Sequence, residues 1–350
     1  MFKNRIAMNV DKKLKSIISN FPKVKILVIG DLILDEYIYG EVERISPEAP
    51  VPVVWAGERK FLPGGASNVA ANIISMGAQA NITGIVGKDD KADILLSELK
   101  KRRINTDGVF DVFNRYTSVK TRVIGGHQQI VRVDWESKEA IKDNLQSKIE
   151  DFIKQNIKKV DAIIIEDYGK GLITPRIVTC AISQAKANKK IITVDPKEEH
   201  FDYYSGATAI TPNRKETENA IRNIKIGNAY SNLRVTSDKL VTDRDINSAG
   251  KGLLDYLKLD GILITLGDKG MRLFQKAKDP YHIDTVAQEV FDVSGAGDTV
   301  IATFSLALAC GATMQEAAVI SNFAAGIVVG RIGVSTTTQD ELISKIKKHK

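Results

Sequence analysis

Short, continuous apolar runs that each end in glycine or a polar residue recur along the chain: KILVIGD (25–31), ANITGIVG (80–87), DAIIIED (161–167), KIITVD (190–195), ATAITPN (207–213) and GILITLG (261–267). Strands of this kind, without polar alternation, are buried on both faces. Stretches with helical spacing, such as 66–77 and 92–102, separate most of them. The alternation predicts an α/β fold with a mainly parallel central sheet and helices on both faces. Asp31, Glu166, Asp167, Asp195 and Asn213 stand just past the strand ends. In open α/β sheets that edge is where ligands bind.

Two segments break the alternation. Residues 37–62 and 109–135 read as strands with no helix between them, and predict a small separate β-sheet forming a lid or an interface. Trp55 suits either that lid or a core. Residues 11–20 predict a short amphipathic helix, and 222–250 is polar and poorly patterned. The expected organisation is a lead-in over 1–23, one domain over 24–340 carrying the lid strands, and a basic tail over 341–350. With 43% hydrophobic and 27% charged residues, the chain has a globular composition. Its cysteines, Cys180 and Cys310, form no CxxC pair, and the four histidines have no metal-ligand spacing. A disulfide framework and a zinc ribbon are therefore excluded, and a cytoplasmic setting is expected. No apolar run is long enough to span a bilayer, so no membrane partner is expected. The net charge of +7 owes much to lysines near both ends. It reads as a solvated surface, with no nucleic acid expected, and would also suit a phosphorylated small substrate.

The segment FDVSGAGDTVIATFSLALA (291–309) carries most of the chemistry. A glycine turn opens a long apolar helix, so the backbone N–H groups of Gly295, Ala296 and Gly297 can converge on an anion. A dinucleotide-binding GxGxxG turn would need glycine at 300, where Val300 stands. Asp298 would repel a bound pyrophosphate unless it has a task. General base toward a hydroxyl, beside amides that stabilise a phosphoryl group, fits; a helix cap is the alternative. In FLPGGASNVAANIISMG (61–77), Gly64 and Gly65 permit close approach of a ligand, and Asn68 could offer its amide to sugar hydroxyls. Asp31 and Asp35 suit vicinal hydroxyls or a plain turn. Asn213 and Glu216 open a helix and could order magnesium through its water shell, or simply cap the helix. Lys197 and Lys170 lie past strand ends, and no GxxxxGK[ST] loop is present.

These segments, in this order, resemble the ribokinase-like (PfkB-type) carbohydrate kinases. PGGASNVAAN and DVSGAGDTVIA look like the two signatures of that family, and the resemblance covers residues 24–340. RISPEAPVPVV (44–54) and QQIVRVD (128–134) are similar to its D-glycero-β-D-manno-heptose 7-phosphate kinase branch. The resemblance implies transfer of the ATP γ-phosphoryl to O1 of heptose 7-phosphate, in ADP-heptose synthesis. Another sugar, sugar phosphate or nucleoside is the alternative acceptor. It implies Asp298 as base and Gly295, Ala296 and Gly297 as anion hole. Asp31, Asp35, Gly64, Gly65 and Asn68 would hold the sugar, with Arg132 and Lys170 on its 7-phosphate. Lys197, Asn213, Glu216, Thr265, Gly267, Gly270 and Asn322 would serve ATP, with Asn213 and Glu216 also serving Mg²⁺ through water. The family admits a monovalent-cation activator and a homodimer clasped through the lid. No HxGH motif is found, so adenylylation of the product is expected from a separate nucleotidyltransferase. A non-catalytic sugar-binding protein and a dinucleotide oxidoreductase are the competing classes; Asp298 in its glycine turn argues against both.

Overall fold

Along β1 (Lys25–Gly30) successive side chains enter opposite cores. Ile26 and Val28 join one apolar cluster, Leu27 and Ile29 the other. Period-two alternation between two buried faces is what a continuous apolar run produces in the middle of a covered sheet. The computed structural model describes residues 12–126, 128–227, 232–287, 289–331 and 333–348.

A helix over residues 12–19 (α1) precedes β1. Next come β2 (Leu32–Ile45), β3 (Pro52–Gly65), α2 (Ala66–Ser75), β4 (Gln79–Gly87), α3 (Asp90–Lys101), β5 (Asn105–Val112), β6 (Ser118–Gly125) and β7 (Gln128–Trp135). The chain continues through α4 (Asp143–Asn156), β8 (Ala162–Glu166), α5 (Pro175–Ala187), β9 (Ile191–Asp195), β10 (Ala209–Ile210), α6 (Arg214–Gly227) and α7 (Asp243–Tyr256). It closes with β11 (Gly261–Thr265), β12 (Met271–Gln275), β13 (Tyr281–Ile283), α8 (Ala296–Ala309), α9 (Met314–Val328) and α10 (Gln339–Lys348).

The large sheet has the order β13-β12-β11-β10-β9-β8-β1-β4-β5. It is parallel from β11 to β5, and β12 and β13 are antiparallel additions at one edge. Helices α2, α8 and α9 pack on one face; α4, α5 and α7 supply the core on the other. Helix α8 is buried continuously from Asp298 to Leu308, so its first turn is held rigidly at the sheet's carboxyl edge.

The small sheet is β3-β2-β6-β7, with β2 parallel to β6 and the outer pairs antiparallel. It departs from the expected lid in one respect: residues 109–112 belong to β5, the edge strand of the large sheet. Val109 and Phe110 pack against the two cores, which the period-two reading of an isolated hairpin could not show. Trp55 lies on β3 at 76% exposure, so it fills no core. The basic C-terminal stretch is helix α10, with Leu342 and Ile346 buried, where a tail was expected. Its lysines lie along the exposed side of an amphipathic helix. The polar region 222–250 holds the end of α6 and the start of α7. Residues 1–11 of the expected lead-in and 349–350 of the tail lie outside the described residues, as does His127. Among the described residues, no helix is long and apolar enough to cross a membrane.

Candidate active site

At the carboxyl edge of the large sheet, the chain turns through Gly295 into α8. Gly295 has φ +76°, and a Cβ there would come within 2.9 Å of Asn68 Nδ2. The turn places Asp298 in the first turn of α8, 4% exposed. Asn68 Nδ2 donates to Asp298 Oδ2 at 2.6 Å, and the Tyr168 hydroxyl donates to Oδ1 at 2.9 Å. Burial raises the Asp298 carboxyl to about 6, against the pull of those two hydrogen bonds. At neutral pH it is therefore an ionised acceptor, with a proton affinity above that of an ordinary aspartate. Substituting Gly295 by Ala forces a left-handed residue and crowds Asn68. If Asp298 reacts with the acceptor, Gly295→Ala is expected to lower kcat on the order of 100-fold with an unchanged circular dichroism spectrum, since small misplacements of a reacting group carry such costs. A parental kcat would show that the turn does not position Asp298.

Beside Asp298 lie Glu166, at the end of β8, and Asp195, at the end of β9. One carboxylate oxygen from each of the three falls within 4.8 Å of the others. Both Glu166 and Asp195 are pushed well above the carboxylate range, first by burial and then by neighbouring negative charge. Glu166 Oε2 is a buried oxygen without a hydrogen-bond partner. An acidic cluster with an unsatisfied buried oxygen fits a hard divalent cation in its donor chemistry. Asn213 and Glu216 line the same 300 Å³ cavity with Lys197 and Gly297. They form the reciprocal cap that was the alternative reading: Asn213 N donates to Glu216 Oε2 at 2.8 Å, and Glu216 N to Asn213 Oδ1 at 2.9 Å. Burial lifts Glu216 to about 7. Lys197 Nζ is paired with Glu198 at 2.8 Å.

A second cavity of about 810 Å³ adjoins the first. Thr265, Gly267, Gly270, Asn322, Ala296 and Gly297 line it, together with apolar residues including Val290, Val293, Val300 and Val329. Its walls suit a flat, largely apolar ring next to an anion-binding turn. The Asn322 amide itself is spent on the Asp284 carbonyl, 2.8 Å away.

On the other side of Asp298, the small sheet turns Asp35, Tyr37, Lys120 and Arg122 toward the cleft. Arg122 pairs with Asp35 at 2.5 Å. Gly64 is needed here because a Cβ would meet Asp35 Oδ2 at 2.4 Å, and Gly65 follows it into α2. Asp31 is already occupied: its carboxylate accepts N–H bonds from Tyr168 and Lys170, each at 3.0 Å, and from Leu172 at 3.3 Å. It holds the 168–172 loop, and burial followed by the Asp167 charge raises it to about 6. Of the two cations expected on a substrate phosphate, Lys170 is tied to Glu136 at 2.5 Å. Arg132 lies on the outer strand β7, 51% exposed at its side chain, in a bidentate pair with Asp134. The sequence gives no individual role to Tyr168, Lys120, Glu166 or Asp195. Glu166 and Asp195 were visible as polar strand ends; Tyr168 and Lys120 gave no motif signal.

The architecture is ribokinase-like, and the match to the pfkB family of carbohydrate kinases makes the chain a phosphotransferase acting on an alcohol group. The ribokinase of Arabidopsis thaliana, complexed with ribose and ATP, superposes with a TM-score of 0.69 at 20% identity, covering 93% of this chain and 99% of that one. The chain belongs to the pfkB family of carbohydrate kinases, whose profile matches residues 23–341. It is similar to the bifunctional protein HldE of Citrifermentans bemidjiense, at 40% identity over 336 residues, and of Pelobacter propionicus, at 41% over 335 residues. Each match covers 96% of this chain and 66% of the relative, so the chain spans just under two thirds of their length.

Proposed function

We propose that the protein phosphorylates O1 of D-glycero-β-D-manno-heptose 7-phosphate from ATP, giving the 1,7-bisphosphate used in ADP-heptose synthesis. The observation that carries the kinase chemistry is the buried Asp298, clamped by Asn68 and Tyr168 at a glycine turn between two cavities. The sugar is supported by RISPEAPVPVV and QQIVRVD and by the 40–41% identity to the HldE proteins.

In this reading the acceptor hydroxyl gives its proton to Asp298 as its oxygen attacks the γ-phosphorus, and the bond from that phosphorus to the β–γ bridging oxygen breaks, so that ADP leaves. The amides of Gly295 and Gly297 receive the charge of the phosphoryl oxygens, while that of Ala296, expected to join them, is donated to the Val293 carbonyl at 3.2 Å. Asn68 and Tyr168 fix the carboxylate against rotation. Asp31 anchors the loop that carries Tyr168, and retains lone-pair capacity for a sugar hydroxyl. Asp35, held by Arg122, and the backbone at Gly64 and Gly65 meet the other hydroxyls. Thr265, Gly267, Gly270 and Asn322 shape the nucleotide cavity, and Lys197 reaches the phosphates. Glu166 and Asp195 would hold magnesium directly, and Asn213 and Glu216 through its waters; the bound ion neutralises charge on the transferring group. Lys170 and Arg132, expected on the substrate's phosphate, are each paired with a carboxylate and would have to leave it to reach that group.

The lid's other face ends in exposed Val131, Val133 and Trp135. A second copy covering it would form a homodimer. The two free cysteines suit a cytoplasmic enzyme, and the product would pass to a nucleotidyltransferase activity.

The test is ADP release with Mg-ATP over heptose 7-phosphate, fructose 6-phosphate, fructose, ribose and adenosine. We expect kcat/KM for heptose 7-phosphate to exceed every other value at least 100-fold. A higher value for another acceptor would replace the sugar while keeping the kinase chemistry.

A further inference from the structure

We propose that Lys120 is the residue that selects a phosphorylated acceptor, by binding a phosphate monoester on the sugar remote from the reacting hydroxyl. The inference rests on the reading of the site as that of a sugar-phosphate kinase, and deepens it.

Lys120 lies on β6, opposite Asp35 of β2, so the two share the lid face that covers the cleft. Its ammonium sits over the ring of Tyr168, 4.8 Å from the centroid, and the hydroxyl of that ring is bonded to Asp298. Lys120 therefore stands about one ring's width from the base, on the acceptor side. Among the described residues its Nζ has no hydrogen-bonded or ion-pair partner. The neighbouring cations are spoken for: Arg122 by Asp35, Lys170 by Glu136 and Arg132 by Asp134. Lys120 is thus a half-buried cation with no bonded carboxylate, and Asp35 and Asp298 act on it only at a distance.

A cation partly withdrawn from water without a bonded counter-ion is costly, and the ring face of Tyr168 and the more distant carboxylates offset only part of that cost. A phosphate dianion offsets the rest through charge-assisted hydrogen bonds. Lysine suits this task because its ammonium is a compact charge on a flexible stem, able to follow a phosphate at the end of a sugar chain. An unphosphorylated acceptor would leave the charge unpaired, so the residue discriminates against such acceptors as well as favouring phosphorylated ones.

The experiment compares wild type, Lys120→Gln and Lys120→Arg with each sugar phosphate and its unphosphorylated form. Heptose 7-phosphate with the free heptose, and fructose 6-phosphate with fructose, are the two pairs. The readout is the ratio of kcat/KM within a pair, in which any general loss of activity cancels. We expect Lys120→Gln to lower the ratio by about 10- to 100-fold and Lys120→Arg to retain most of it. In parallel, inorganic phosphate is titrated by calorimetry into each protein saturated with a non-hydrolysable ATP analogue. We expect Lys120→Gln to weaken phosphate binding at least tenfold. An unchanged ratio together with unchanged phosphate binding would overturn the proposal, as would a wild type that binds no phosphate and prefers unphosphorylated sugars. A ratio that collapses for fructose 6-phosphate, in a wild type inactive on heptose 7-phosphate, would keep Lys120 in its role and discard only the heptose reading.

Discussion

Asp298→Asn is expected to lower kcat by about 100- to 10,000-fold, the range that a positioned general base contributes. The same substitution should make the protein more stable at neutral and alkaline pH. Both effects have one origin. The carboxyl is buried and its proton affinity is raised to about 6 from 3.8, so the folded state is penalised for carrying the charge that catalysis requires. For a folded value raised above the unfolded one, the stabilising effect of the bound proton is full below the unfolded value. It is lost as pH rises through about 6. Above that, the ionised carboxylate costs about 3 kcal/mol relative to a neutral isostere. Thermal unfolding at pH 8 should therefore give a higher Tm for Asp298→Asn than for wild type, with the gap narrowing as pH falls from 6 toward 4. The wild-type kcat/KM should rise with pH through the same region and level off above it. Calorimetric binding of an ATP analogue separates lost chemistry from a lost site. Parental kcat in the variant would remove Asp298 from the role of base.

Much of this arrangement was legible in the sequence because it depends on local patterns. The strands reveal themselves through runs such as AIIIE, whose residues are buried on both faces of the sheet. The SGAGD turn is a local device, since Gly295 must be left-handed for α8 to start where it does. The partners of Asp298 were not legible. Asn68 lies 230 residues away and Tyr168 lies 130 residues away, and only the order of the sheet brings them together. Asn68 was expected to offer its amide to a sugar, and in the structure that amide donates a hydrogen bond to Asp298. Asp31 likewise carries a task that the sequence did not reveal, since its carboxylate anchors the 168–172 loop. Lys120 was hidden for another reason. Lysine in a polar strand is usually solvated, and only the three-dimensional tally of ion pairs on the lid face distinguishes it from Lys170 and Arg132. The edge strand β5 was missed because period-two alternation does not say which sheet a strand joins.

The proposed magnesium requirement should be the property most sensitive to Glu166. Its Oε2 atom is buried with no partner, an arrangement natural proteins rarely leave uncompensated, and two further carboxylates crowd the same space. Crowding makes these carboxyls hold protons more tightly in the absence of a cation, at a cost to the fold, and they become ligands in its presence. Removing one of them therefore has opposite effects in the two conditions. In metal-free buffer, Glu166→Gln should unfold at the same temperature as wild type or higher, because one source of that cost is gone. With millimolar magnesium and an ATP analogue, the wild type should gain several degrees and the variant markedly less, since a ligand that binds only the folded protein stabilises it in proportion to its affinity. In turnover, the magnesium concentration for half-maximal rate should rise about 10- to 100-fold in the variant, the usual cost of disturbing a metal site. The two readouts test separate links, one the cost built into the fold and the other the use of these carboxyls in holding a cation. A variant that gains as much stability from magnesium as wild type would place the ion away from Glu166. The unsatisfied oxygen would then be a purely structural cost.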